Sequence, residues 1–266
     1  VQTSAGQIAA TVEKTTATAA FIVENSQTIS SAVLNNLASA WTSTIYPVDT
    51  TYFGSAPDVD NNCQIEIIIY NIDGPANIGG YFSPSMSGQR EILFIDSSDL
   101  GWANTILAHE FEHLRHNARD PFESIWIDEG NADMAAYLCF GATNTVIGHA
   151  NSWAQQPHIS VRWWNQSLAD YGAGFLFMLY LASKLGGGQA IQSLVADTAT
   201  GGAGIVNIAN NPVPGSPGQI GNSMTDIFAN FSVATLLDDS QHPYGLDNID
   251  MFDNCGSSQF CKLQLT

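Results

Sequence analysis

The stretch AHEFEHLRHN, residues 108 to 117, sets His109, Glu110 and His113 in the pattern H-E-x-x-H. On a helix, residues four apart share one face, about 40° apart around the axis. His109 and His113 can therefore present imidazole nitrogens to a single ion. Glu110, beside the first histidine, can reach a water on that ion without binding it. The chemistry would be metal-assisted hydrolysis, in which a Lewis acid polarises a carbonyl and a carboxylate takes a proton from water. The plain alternative is a charged helix face with no ion.

Catalytic zinc takes three protein ligands and keeps one position open. A third candidate lies downstream in WIDEGNAD, where Glu129 and Asp133 are again four apart. Glu129 can bind the ion. Asp133 can accept the distal N–H of a ligand histidine and fix its tautomer, or it can be a charge suited to a helix N-terminus. A metzincin pattern fails, because Arg119 stands where its third histidine would fall and His116 where its glycine would.

HEFEH followed by E-x-x-x-D resembles the gluzincin metallopeptidases, the group that includes thermolysin. That resemblance implies Zn2+ held by His109, His113 and Glu129, with Glu110 as general base and acid. DYGAGFLFMLYLASKLGG is similar to the tyrosine-bearing helix of gluzincin aminopeptidases, which implies that Tyr171 stabilises the oxyanion. The order TIYPVDTTYFG, IGGYFSP, REILFIDSS, HEFEH, WIDEG, DYGAGFLF most resembles the hyicolysin family of bacterial neutral metallopeptidases. It runs from about residue 26 to about 190, and more weakly to 236. The gap from His113 to Glu129 is shorter than in thermolysin, so the turn after Ala118 must be tight. The G-A-M-E-N type motif that aminopeptidases use is absent, and IGGYFSP stands in the comparable place. This favours an endopeptidase. A second oxyanion donor is common in such enzymes, and His158 is a candidate through its nearness to Tyr171 in sequence.

Other residues have plainer readings. Tyr171 can equally be a core tyrosine beside Phe175. His116 reads as a surface residue, and His149 and His242 as structural or solvent-facing. Trp153, Trp163 and Trp164 read as core or cleft wall.

These side chains need elements to hold them. Residues 1 to about 24 read as a loosely packed or strand-like arm. SQTISSAVLNNLASAWTSTIYP has helical spacing, with Pro47 as a stop. CQIEIIIYNI and REILFIDS read as strands. The Gly/Pro/Ser-rich DGPANIGGYFSPSMSGQ reads as mostly loop, although GGYF can be a strand edge that pairs with a substrate backbone, with Gly79 and Gly80 allowing close approach. The motif helix can be capped by Asn104 or Thr105 and breaks at Pro121. IWIDEGNADMAAYLCFG and DYGAGFLFMLYLASKLGGG read as helices ending at glycines, and SMTDIFANFSVATLL as a last helix. Strands and one helix followed mainly by helices imply an α+β protein of two lobes. The expected fold is zincin-like, with residues 1–128 as a lobe with a small mixed sheet and the H-E-x-x-H helix, and 129–266 as a mainly helical lobe carrying the third ligand.

Composition narrows the partners. The chain has 266 residues, 45% of them apolar, enough for a sizeable core. Seven basic against 25 acidic residues give a net charge of -18. So few bases argue against nucleic acid or an anionic membrane as partner. The acidic tract with Asp238, Asp239, Asp247, Asp250 and Asp253, and DVDNN with Asp58 and Asp60, could take Ca2+, but neither has EF-hand spacing. Four cysteines allow two disulfides in three pairings. Cys255 with Cys261 is the first choice, leaving Cys63 with Cys139; free thiols are the alternative. VQTSAGQ has no basic or apolar signal region, so a secreted protein would begin here after signal removal. The expectation is a secreted, monomeric zinc endopeptidase acting on proteins or peptides. An aminopeptidase, or a catalytically silent zinc-bearing binding domain, are the alternatives. Glu110 separates the last, since a silent scaffold has no need of a general base.

Overall fold

A computed structural model describes residues 1–75, 77–86, 90–218, 220–237 and 244–246. The chain is α+β and divides into two compact units, Val1–Ala118 and Arg119–Thr266. The acidic tract from Asp238 to Asp253, except for residues 244–246, together with His242, Cys255 and Cys261, lies outside the described residues.

In the first unit, β1 (Gln2–Thr3) and β2 (Gly6–Gln7) form a small hairpin. Five strands make a mixed sheet: β3 (Ala10–Thr15), β4 (Ala19–Glu24), β5 (Ile65–Tyr70), β6 (Gly80–Phe82) and β7 (Ile92–Asp96), in the order β3-β4-β5-β7-β6. The three central strands are parallel, and the outer two pair antiparallel. Parallel strands are covered on both faces, which is why AAFIVE, IEIIIY and ILFID are nearly unbroken apolar runs. One face gathers Ala20, Ile22, Ile68, Tyr70, Ile92 and Phe94, and Val1, Ile8 and Ala10 pack over it. The first residues are thus a cover and a sheet margin. Of the two readings of residues 1 to about 24, the strand-like one holds, and β4 is a buried strand.

Between β4 and β5 run α1 (Ser31–Ala40), a π-helical turn (Trp41–Ile45) and α2 (Tyr46–Phe53). Pro47 does not stop the helix. It sits in the first turn of α2, where a missing N–H costs nothing and the fixed φ suits a helix start. Trp41 is fully buried, and its Nε1 donates to Thr18 Oγ1 at 2.9 Å.

The helix α3 (Ala103–Asn117) carries the H-E-x-x-H pattern. Its N-cap position is Trp102, without a side-chain cap, rather than Asn104 or Thr105. Two contacts seat it. Phe111 packs on Trp41 (ring centroids 4.6 Å apart) and stacks on Tyr46 (5.8 Å). On the β6 side, a Cβ at Gly79 would lie 2.4 Å from Ile106 Cδ1, and one at Gly80 would lie 2.7 Å from the Phe94 carbonyl oxygen. The two glycines therefore admit the motif helix and the neighbouring strand.

The second unit contains α4 (Ile125–Phe140), α5 (Asn144–Ala154), α6 (Leu168–Leu185), α7 (Gly188–Ala196), α8 (Gly202–Asn210) and α9 (Met224–Leu237). α6 is apolar on nearly all sides and is buried almost throughout. Phe231 of α9 packs against Phe177 and Tyr180 of α6 and Trp153 of α5. Glycines bring the backbones of α4, α5 and α6 close. A Cβ at Gly130 would stand 2.7 Å from the Gly174 carbonyl, and one at Gly172 only 2.1 Å from the His149 carbonyl oxygen.

The cysteine expectation is corrected in part. Cys63 and Cys139 do not form the expected disulfide. Cys63 sits in an exposed loop at φ 61°, its Sγ donating to Asp58, and Cys139 lies in the last turn of α4.

A matched pair of variants tests the helix contacts. Gly172→Ala forces a methyl into backbone and should lower unfolding free energy by about 1–3 kcal/mol. Gly148→Ala, in α5 with nothing within 4 Å of the added Cβ, should raise it by about 0.5–1 kcal/mol, the helix-propensity gain. Urea denaturation of both reads the difference; equal effects would sink the close-approach account.

Candidate metal centre

The site builds from α3. His109 and His113 are half-buried on one face of the helix, with their Nε2 atoms 3.2 Å apart and rings at 82°. Two ligands about 2.0–2.1 Å from a tetrahedral zinc stand about 3.3 Å apart. The two imidazoles thus have the spacing that a zinc ion requires of neighbouring donors. His113 Nδ1 faces the Glu112 carboxylate at 3.9 Å. Glu110 is 7% exposed.

The neighbouring charged residues of α3 are fully buried. Glu112, Arg115 and His116 are all 0% exposed. His116 Nδ1 lies 3.2 Å from Glu112 Oε1, and the Arg115 guanidinium sits 5.0 Å from the Phe111 ring centroid. His116 is therefore no surface residue. It is one turn from Glu112, and burial of that carboxylate requires partners of opposite charge or hydrogen-bonding capacity.

In the second unit, Glu129 is half-buried on α4, one turn before Asp133. Asp133, 1% exposed, holds His149 of α5 through an Oδ2–Nδ1 contact of 2.6 Å. The His149 ring packs on Tyr171 of α6 with centroids 4.8 Å apart. Trp164 meets Tyr171 edge-on, also at 4.8 Å. Tyr171 is half-buried and flanked by these two rings. The start of α6 is fixed by a capping box: Ser167 Oγ accepts from the Asp170 N–H, and the Asp170 carboxylate accepts from the Ser167 N–H at 2.9 Å. That carboxylate also accepts from the Asn165 N–H and Ser167 Oγ, so the residue before Tyr171 is held at three points.

His149, expected to be structural or solvent-facing, meets Asp133 and Tyr171. The signal was available only as a buried aspartate needing a donor, and the donor is sixteen positions away. His158 is exposed in the turn after α5. Trp153 is buried as expected, whereas Trp163 is 69% exposed.

No family model matches the chain. The chain is similar to the neutral metalloprotease ShpI of Staphylococcus hyicus, 25% identical over 235 residues, which cover 75% of this chain and 52% of that protein. The chain thus spans about half the length of the curated relative it matches.

The histidine spacing makes a direct prediction. His109→Ala or His113→Ala should each cut bound zinc well below one ion per chain, measured by metal analysis after dialysis, while far-UV circular dichroism stays unchanged. Undiminished zinc in both variants would remove α3 from the metal site.

Proposed function

We propose that this chain is a secreted zinc-dependent endopeptidase, acting on protein or peptide substrates. The observation that carries the reading is the pair of imidazoles on α3, whose Nε2 atoms stand 3.2 Å apart beside a buried glutamate. The similarity to a protein named neutral metalloprotease supports the same chemistry. His109 and His113 hold the metal, and Glu129 is the third ligand. A bound zinc ion supplies Lewis-acid polarisation of the scissile carbonyl and lowers the pKa of a water.

The chain's own groups do the rest. Glu110 accepts the proton of the attacking water and delivers it to the leaving amine. Its low exposure keeps competing water away from that transfer. Tyr171 donates its hydroxyl proton in a hydrogen bond to the carbonyl oxygen as negative charge builds there. The Asp133–His149 pair presses a ring against Tyr171 and so fixes the direction of the phenol. The edge strand β6 offers unpaired backbone groups to an extended substrate.

Two variants separate the roles. Glu110→Gln should keep zinc and lose casein hydrolysis. Tyr171→Phe should keep zinc and fold, and should lower kcat on the order of 100-fold. Full activity in Tyr171→Phe would withdraw the oxyanion role. Peptides with blocked amino termini should be cleaved as well as free ones; cleavage of free ones alone would make the chain an aminopeptidase. Zinc bound with no peptide cleaved would leave the binding-domain reading.

A further inference from the structure

The first unit holds another group of ligating side chains, outside α3. Asp58 and Asp60 lie in the loop between α2 and β5, and Glu91 lies at the start of β7. One carboxylate oxygen from each falls within 4.8 Å of those of the other two. Glu91 is only 2% exposed. Its Oε1 accepts from the Val59 N–H, but Oε2 is buried with no hydrogen-bond partner. The other two carboxylates take local donors: Asp58 from the Cys63 N–H and thiol, Asp60 from the Asn62 N–H and side-chain amide. Among the described residues no basic side chain pairs with any of the three. The neighbouring guanidinium of Arg90 is on Glu66 at 2.9 Å.

A buried carboxylate oxygen without a donor, beside two further carboxylates and without a cation, is a costly arrangement unless something positive completes it. We propose that Asp58, Asp60 and Glu91 bind a calcium ion. The donor set is all oxygen, which suits a hard cation. Calcium–oxygen bonds of about 2.4 Å let one ion reach oxygens about 4.8 Å apart. Water fills the remaining positions on the open side of the loop. Glu91 is the anchoring ligand, because its backbone carbonyl also accepts from the Glu66 N–H at 2.7 Å. The ion thereby ties the loop before β5 to the start of β7, next to β5 in the sheet. Binding only to the folded chain, it raises stability by mass action.

The test uses the whole chain, dialysed and titrated with calcium chloride by calorimetry, with thermal unfolding followed in parallel. The chain is acidic elsewhere, so the count of sites matters more than binding as such. The double variant Asp58→Asn, Asp60→Asn should bind one calcium per chain fewer than wild type. Its unfolding midpoint should lose most of the calcium-dependent rise. Glu91→Gln keeps an acceptor for the Val59 N–H, so a purely structural role survives in it. Its calcium affinity should fall at least about tenfold with the lost ligand charge. Magnesium chloride at equal concentration should raise the wild-type midpoint less. Equal stoichiometry and affinity in wild type and both variants would overturn the site, as would a wild-type midpoint indifferent to calcium. Should Glu91→Gln fold poorly, the double variant, altered only in the loop, decides the question.

Discussion

The close approach of three helix backbones governs the second unit. Gly130 of α4 meets Gly174 of α6, and Gly172 of α6 meets the backbone of α5 at His149, with no space for a methyl group at either contact. Each glycine has a chemistry-bearing neighbour. Gly130 follows Glu129, Gly172 follows Tyr171, and the carbonyl that Gly172 touches belongs to His149 itself. The short inter-helix distance is what lets a carboxylate on α4 reach an imidazole on α5, and that imidazole stack on a phenol of α6. Larger residues would separate the helices and pull all three apart. Packing and site are one constraint, because an interior at native density transmits a local shift rather than absorbing it.

α3 solves a different problem. It must present two half-buried imidazoles and at the same time keep Glu112, Arg115 and His116 away from water. Such buried charges are tolerated only with partners. One buried carboxylate thus faces the imidazoles of both His113 and His116. Phe111, wedged between Trp41 and Tyr46 with Arg115 over its ring, fixes the rotation of the helix about its axis. A rotation of a few tens of degrees would turn the face that His109 and His113 share in another direction.

What could be read from the amino-acid order follows the range of the interactions. The histidine pair was legible because its geometry is internal to one helix and set by the 3.6-residue repeat. β5 and β7 were legible because strands buried on both faces leave continuous apolar runs. β6 was legible as a strand edge and its glycines as a point of close approach, but not that Ile106 of α3 and the Phe94 backbone are what approach them. The burial of His116 was hidden because it lies opposite the helix's apolar stripe of Leu107, Phe111 and Leu114, on a face whose burial depends on what other elements pack there. The His149–Asp133 pairing depends on how two helices meet, which no local pattern encodes. α7 and α8 escaped because each starts at a glycine with positive φ, Gly187 and Gly201, a residue that ordinarily signals an ending. Cysteine number alone could not foresee that Cys63 would bond to a nearby carboxylate.

The hydroxyls of Tyr70 and Tyr81 lie 2.8 Å apart, and Ser4 joins both, through its Oγ at 2.7 Å and its N–H at 3.0 Å. Burial, ahead of the neighbouring phenol, pushes the Tyr70 hydroxyl up to about 12, so it keeps its proton across the physiological range. This small network spans 77 positions of sequence between Ser4 and Tyr81. Such a contact closes a long loop, at an entropy cost that grows only slowly with length. The first residues and the edge strand β6 are thereby held to one another, so loosening the N-terminal hairpin also loosens that margin of the sheet.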